Sequence, residues 1–304
     1  MKKTEPLEVL AASFPPERFL MNEPMNRHTS FQIGGPADAM VMPVSEQEII
    51  HLLSHCRRND VPVTIMGNGS NLLVKDGGIE GLVIKISQSM NKTVILDEKV
   101  DAMAGISLSC LSKKLHDKGL AGFEFASGIP GTLGGALAMN AGAYGGEMKE
   151  LLLQCTTISR EGEMRTLDRD AMQMSYRSSI VQKNGDIITS ARLKLHRGDC
   201  REIGKMIEDY WNRRLTKQPY NLPSGGSVFK RPEGYYAGKL IEDCGLKGYS
   251  VGGAMVSEVH AGFIVNTGQA TAADVLALMN LIKDTVRNHY RVELESELRV
   301  IGRS

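Results

Sequence analysis

The chain of 304 residues is short of the features that mark many common protein classes. Its charges nearly cancel, with Lys+Arg 36 against Asp+Glu 35, and it has no long basic block and no regular basic-aromatic interleaving. A polyanion therefore finds no electrostatic footprint, and nucleic acid is not an expected partner. Cysteine is sparse: Cys56, Cys110, Cys155, Cys200 and Cys244 are odd in number, far apart, and form no C-x-x-C pair. Neither a zinc site nor a redox dithiol can be built from that spacing, so the five read as reduced thiols. His51 and His55 lie at i, i+4 but lack the H-E-x-x-H pattern, which leaves them as exposed helix residues and predicts no metal. No apolar run approaches the roughly 18 residues of a membrane span. The opening MKKTEPLEVLAASFPPERF has no signal-type apolar core, so a cytoplasmic location and no membrane partner are expected. The two standard nucleotide motifs are missing as well. G-x-x-x-x-G-K-[ST] is absent, and Gly67-x-Gly69 runs into Leu72 where G-x-G-x-x-G needs glycine.

What the chain does have is enough apolar material, 42% of its residues, to bury a large core. At roughly 100 to 200 residues per domain, two or three domains are expected. From Ser45 to Arg58 the residues Ile49, Ile50, Leu52, Leu53 and Cys56 recur at helical spacing, with Ser45 as N-cap and Glu48 completing a capping box. Strand-like runs follow at Val63–Met66 and Leu82–Ile86, then at 93–96 and 100–104. A helix over 107–118 carries Leu108, Leu111 and Leu115, and further strands are expected at 151–159 and 186–195. After Gly198 the pattern restarts with an amphipathic helix bearing Ile203, Met206, Ile207, Tyr210 and Trp211. A long helix over 271–289 leads into 291–300, where apolar and charged residues alternate as in a strand with one charged face. The fold class is α+β, with a domain boundary near residue 198.

Two glycine loops carry the first chemical signal. One is Met66-Gly-Asn-Gly-Ser-Asn-Leu-Leu73; the other is Ser127-Gly-Ile-Pro-Gly-Thr-Leu-Gly-Gly-Ala136, continuing to Asn140-Ala-Gly-Ala-Tyr-Gly145. Closely spaced glycines let backbone N–H groups converge on an anion, and Ser70, Asn71, Ser127, Thr132 and Asn140 add side-chain donors. A pyrophosphate suits such a cradle. Tight turns and close packing are the alternative explanation of the same glycines.

Taken with Asn26-Arg-His-Thr-Ser-Phe-Gln-Ile-Gly-Gly-Pro36, Ser175-Tyr-Arg-Ser178, Ser224-Gly-Gly-Ser-Val-Phe-Lys230 and Glu295-Ser-Glu-Leu-Arg299, these loops resemble, in order and over nearly the whole chain, the UDP-N-acetylenolpyruvoylglucosamine reductase family. The resemblance implies non-covalent FAD in a fold of the vanillyl-alcohol oxidase type made of two subdomains, with a smaller α+β substrate-binding domain. The division expected is 1–90, with 298–304 as a candidate strand to complete it, then 91–198, then 199–297. It also implies NADPH as co-substrate and reduction of UDP-N-acetylglucosamine enolpyruvate to UDP-N-acetylmuramate, an early step of peptidoglycan synthesis. The chain looks like the family's shorter subclass, because the region after residue 198 has no room for an extra tyrosine-bearing insertion.

The implied FAD contacts are Gly67, Asn68, Gly69, Ser70 and Asn71 from the first loop. Those from the second are Ser127, Gly128, Ile129, Pro130, Gly131, Thr132, Gly134, Gly135, Asn140, Ala141 and Gly142. Such chemistry needs a fixed cation at the substrate carboxylate and a proton source for carbon. The resemblance gives these roles to Arg177 and Ser227, with Glu297 assisting opposite Arg177 and Lys230 a candidate to tune Ser227. Arg214, Lys217, Lys230 and Arg231 are candidate cations for the UDP pyrophosphate, Arg231 being the least constrained. Two other readings stay open on sequence: a sugar or lactone oxidoreductase on the same fold, and a nucleotide-sugar-binding protein without redox chemistry.

Overall fold

A computed structural model of the chain describes residues 5–303. They form two compact units, each assembled from separated stretches of sequence. The first holds the stretch ending at Met21, Ala39–Asn68 and Gly81–Arg214, and the second holds Asn22–Asp38, Gly69–Glu80 and the stretch from Leu215 onward.

The first unit is organised on a five-stranded sheet in the order Met164–Asp168, Leu152–Ile158, Ile187–Lys194, Lys99–Met103, Thr93–Leu96. Every neighbouring pair is antiparallel. Along Ile187–Lys194 the first three residues are all buried, and from Thr189 onward alternation sends Ala191 and Leu193 into the core, the period-2 pattern of a half-buried strand. A second element pairs Val63–Met66 in parallel with the later strand at Leu82 to Lys85. The helix Glu46–Arg58 buries Ile49, Leu52, Leu53 and Cys56 on one stripe. Its N-cap is Ser45, which accepts from the Glu48 N–H. The reciprocal half of the expected capping box is absent among the described residues. Glu48 turns its carboxylate to the Val44 N–H and to Arg18, 2.9 and 2.8 Å away, because a cation competes better for it than a second backbone amide.

The second unit carries a four-stranded antiparallel sheet ordered Ser224–Ser227, Phe263–Asn266, Ala254–Val256, Ser250–Val251. The helix Ala272–Tyr290 buries Val275, Leu278, Met279, Ile282 and Val286. Its N-terminus is held by a Thr271–Asp274 capping box and by Asp76, whose carboxylate accepts from the N–H groups of Ala272 and Ala273. That satisfies orphan donors and places a negative charge at the positive end of the helix dipole.

Two expectations need correction. The strand expected over 291–300 is laddered only at Arg299–Ile301, which pairs in parallel with Leu72–Val74. Arg291 adopts φ 57 as the left-handed C-cap of the preceding helix. The chain beyond it keeps the alternation, burying Leu294 and Leu298, but meets its neighbour through a single bridge between Ser296 and Phe229. The helix after Gly198, Cys200–Lys217, departs from the expected stripe: its buried residues are Ile203 and Arg214, while Met206 and Trp211 are exposed. The division between units falls within this helix, after Arg214.

All five cysteines are free thiols. Burial pushes the Cys56 and Cys155 thiols up to about 11 and about 12, so they stay protonated at neutral pH, whereas Cys110 and Cys200 are exposed. Since the thiolate is the nucleophile, Cys110 and Cys200 are expected to react with Ellman's reagent at pH 8 in the folded protein while Cys56 and Cys155 react only after unfolding. Fast modification of Cys56 or Cys155 in a mass-mapped digest would contradict the packing described.

Candidate functional site

The long glycine run is fastened to the edge of the five-stranded sheet's connections by backbone bonds. Leu108 N–H donates to Gly131 O, Leu133 N–H to Ile106 O and Gly134 N–H to Ala104 O, and Ser107 bridges Thr132. Thr132, almost fully buried, caps the short helix Leu133–Ala138 by accepting from the Gly135 N–H. Gly67 of the first loop approaches the same threonine so closely that a Cβ there would lie 2.4 Å from Thr132 Oγ1. Close packing thus explains Gly67, and it sets Gly67 against Thr132 of the second loop. Gly67 and Asn68 belong to the first unit, and Gly69, Ser70 and Asn71 to the second.

Arg214 adds a charge that sequence periodicity would have placed elsewhere. It is 7% exposed, and its Nε has no hydrogen-bond partner among the described residues. Its side chain lies against Gly128, where a Cβ would sit 2.6 Å from Arg214 Cδ and 2.8 Å from Nε. On the other side its Cζ stands 5.5 Å from the Tyr144 ring, and that ring stacks on Tyr210 at 4.2 Å and 6°. A buried N–H left without a partner costs about 1 to 3 kcal/mol, so the Arg214 Nε is a donor open to an acceptor beside the glycine run. A pyrophosphate fits such a donor, although within Ser127–Thr132 the N–H groups of Ser127 and Ile129 are already given to Glu124 O and Ala126 O and Pro130 has none.

Arg177 projects from a tight turn in the first unit. Ser175 and Ser178 exchange both backbone hydrogen bonds, at 3.0 and 3.1 Å, leaving Tyr176 and Arg177 at the tip. Arg177 sits at φ 54, a left-handed conformation that costs a residue with a Cβ about 1 to 2 kcal/mol. Its guanidinium reaches toward Gly142 O at 3.5 Å and its Cζ lies 5.0 Å from the Tyr176 ring. The Asn140 amide serves the same turn, with donors to Glu147 at 2.6 Å and Ser175 O at 3.1 Å and its oxygen accepting from Lys149 N–H at 2.9 Å.

Ser227 and Glu297 lie in the second unit. Ser227 pairs with Phe263 across the four-stranded sheet, and the next residue, Val228, accepts the Glu297 N–H at 2.8 Å. Asn71 of the first glycine loop donates to Glu297 O at 3.1 Å and accepts the Arg299 N–H through its own carbonyl. The three glutamates expected on one charged face are not equivalent: Glu293 and Glu295 have side chains 73% and 75% exposed, while Glu297 is half-buried. Glu295 holds Lys230 in an ion pair at 3.0 Å. Lys217 is exposed at the end of its helix, and Arg231 stacks its Cζ 4.0 Å from the Tyr236 ring and donates to Tyr235 O.

Sequence reasoning missed Tyr144, Tyr210, Glu147 and Gln182. Tyr144 lies in the second glycine motif and Tyr210 on the helix stripe, but neither context gives it a role, and the contacts of all four are set by side chains converging from distant segments. Among the described residues no cluster of potential metal ligands occurs and no helix is long and apolar enough to cross a membrane.

Residues 37–168 match the model of an FAD binding domain, and residues 218–301 match the UDP-N-acetylenolpyruvoylglucosamine reductase, C-terminal domain. Over 302 residues the chain is 51% identical to the UDP-N-acetylenolpyruvoylglucosamine reductase of Alkaliphilus oremlandii, covering 99% of both chains. It is 49% identical to the Clostridioides difficile protein of the same name over 94% of each. Its fold superimposes on the crystal structure of UDP-N-acetylenolpyruvylglucosamine reductase from Thermus caldophilus with a TM-score of 0.79 and 34% identity, covering 93% of this chain and 97% of that one. A sugar or lactone oxidoreductase, or a binding protein without redox chemistry, would leave the C-terminal match and the full-length identity unexplained. With an FAD binding domain in its first half, a reductase-specific domain in its second and relatives matching end to end, the chain belongs to the UDP-N-acetylenolpyruvoylglucosamine reductase family, whose members are FAD-dependent oxidoreductases.

Proposed function

We propose that the protein uses NADPH to reduce UDP-N-acetylglucosamine enolpyruvate to UDP-N-acetylmuramate in the cytoplasm, as an early step of peptidoglycan precursor synthesis. Reduction of this enolpyruvyl ether with FAD follows from family membership. The electron donor, the cellular location and the residue roles are our reading. The observation that carries the roles is the backbone bond from Glu297 N–H to Val228 O. It sets a serine hydroxyl and a half-buried carboxylate on adjoining backbone within the stretch that matches the reductase domain.

FAD, when bound and reduced, supplies the hydride that the terminal enolpyruvyl carbon takes up. The protein has to manage the charge that results. As the double-bond pair moves toward the adjacent carbon and its carboxylate, the Arg177 fork pairs with that carboxylate, a contact worth roughly 3 to 4 kcal/mol in a preorganised site. Ser227 then gives its hydroxyl proton to the adjacent carbon, forming the C–H bond and completing the lactyl ether, with general-acid help worth about 10² to 10⁴-fold. Glu297 assists at the enolate. Lys230, held in an exposed ion pair by Glu295, stays a candidate to tune the Ser227 hydroxyl.

Arg214 moves, in this reading, from the substrate's cations to the cofactor's, because its buried guanidinium rests on Gly128 of the glycine run. Lys217, Lys230 and Arg231 remain the candidates for the UDP pyrophosphate. The division 1–90 with 298–304, 91–198 and 199–297 is kept as a proposal. The parallel pairing of Arg299–Ile301 with Leu72–Val74 supports joining 298–304 to the first stretch, whereas the compact units group both strands with the residues from 215 onward.

The Ser227→Ala variant is expected to accept electrons from NADPH at the normal rate while its reoxidation by the enolpyruvyl substrate slows by at least about 10²-fold. Stopped-flow absorbance of the flavin reads both halves, and equal loss in each would remove Ser227 from the proton step. Arg214→Ala is expected to bind FAD at least about tenfold more weakly, as loss of one charged hydrogen bond requires, and fluorescence titration of the apoprotein would read it. Unchanged FAD affinity with weakened substrate binding would return Arg214 to the substrate's cations.

A further inference from the structure

We infer that Asn140 is a positioning residue for Arg177: it holds the Ser175–Ser178 turn, and so the guanidinium at its tip, in register with the helix that begins at the glycine run. This rests on the reading of Arg177 as the carboxylate-binding cation.

Asn140 follows the helix Leu133–Ala138 and adopts φ 43, a conformation that asparagine tolerates better than most residues. It is 1% exposed. Its two N–H bonds are both spent, on the Glu147 carboxylate and on Ser175 O, and its oxygen accepts from Lys149 N–H. Two acceptors and one donor around the group dictate which way the amide points. With both N–H bonds used inside the chain, the side chain has no donor left for a cofactor, and the expected FAD contact at this residue falls to its backbone.

A second set of bonds reaches the same turn from the same helix. Ser179 Oγ donates to Ala138 O at 2.7 Å, and Gln182 Nε2 donates both to Ala138 O and to Arg177 O, the latter at 3.3 Å. The turn is thereby held on either side of Arg177, at Ser175 and at Arg177 O itself, by groups fixed to the end of one helix. That helix is six residues long, about 9 Å, and its first turn is capped by Thr132 of the glycine run. Thr132 at one end and Asn140 just past the other therefore fix the distance from the glycine run to the Arg177 turn. The Glu147 carboxylate is kept below its ordinary range chiefly by the Lys149 ammonium, opposed by burial and aided by the Asn140 hydrogen bond, with Arg177 contributing at longer range. A stable negative charge there gives the Asn140 amide a fixed acceptor at pH 7 and leaves its other N–H for Ser175.

The test uses the FAD-loaded enzyme and the variants Asn140→Ala and Asn140→Asp, the second nearly isosteric but with an acceptor facing both Ser175 O and the Glu147 carboxylate. Both are expected to keep FAD and to be reduced by NADPH within about threefold of the parent rate. Reoxidation by UDP-N-acetylglucosamine enolpyruvate should slow by about 10²-fold, the loss that a displacement near 1 Å brings to a reacting centre. In an Arg177→Ala background the same substitutions should change reoxidation by less than about twofold, since residues acting through one group are not additive. If Asn140→Ala does not accumulate, Asn140→Asp carries the test, with Gln182→Met as the substitution of the other anchor and the same split expected. Loss of FAD from both Asn140 variants, equal slowing of the two half-reactions, or full additivity with Arg177→Ala would each overturn the inference. Parent-like reoxidation in Arg177→Ala alone would instead remove the reading on which it rests. Slow reoxidation in Arg177→Ala with normal reoxidation in Asn140→Asp would remove the positioning role and leave that reading intact.

Discussion

The bridge between Ser107 and Thr132 is the constraint on which the first unit's chemistry depends. Glycine runs have no side chains to anchor them, so their shape must be imposed by whatever their backbone groups bond to. Here the imposing surface is the segment Ala104–Leu108, which leaves the strand Lys99–Met103 and enters the next helix. Through three amide-carbonyl bonds it fixes the run and starts the helix Leu133–Ala138 at a set point. The turn bearing Arg177 and the pocket of Arg214 beside Gly128 are placed from there.

In the second unit the equivalent frame is backbone too. Asn71 and Val228 both bond to Glu297, one through its carbonyl and one through its N–H, so the first glycine loop and the serine loop meet on one residue of the C-terminal segment. That double attachment separates Glu297 from Glu293 and Glu295, which remain in solvent. Alternation along the sequence gives the three carboxylates identical standing. Only the partner across the chain tells them apart.

Legibility in the sequence followed the same line. The helix at Ile49, Leu52, Leu53 and Cys56, whose burial comes from its own periodicity, could be read directly, as could the strand Val63–Met66 from its β-branched run. The helix Cys200–Lys217 could not be read in full, because what it buries at its far end is an arginine, whose burial depends on Gly128 and Tyr144 nearly 90 and 70 residues earlier. The strand expected at 291–300 failed for a related reason: alternation survives there, but a strand also needs a neighbour along its length, and the sequence holds no record of one. At the site, the glycine loops stood out by composition, while the work of Asn140, Glu147 and Gln182 rests on contacts across 5 to 44 residues that leave no local pattern.

The second unit is drawn from residues 22–38, 69–80 and the stretch from 215 onward. Among the described residues its strand Leu72–Val74 finds its parallel partner in Arg299–Ile301, more than 220 residues later. During synthesis at about 5 to 20 residues per second, Leu73 and Val74 therefore wait on the order of tens of seconds after emerging before that partner exists. The first glycine loop leads into this strand, so the part of it beyond Asn68 gains its strand support only after residue 301 has been made. A chain still held on the ribosome before residue 299 can already have its sheet-rich first unit in place while Leu72–Val74 lacks the strand it pairs with.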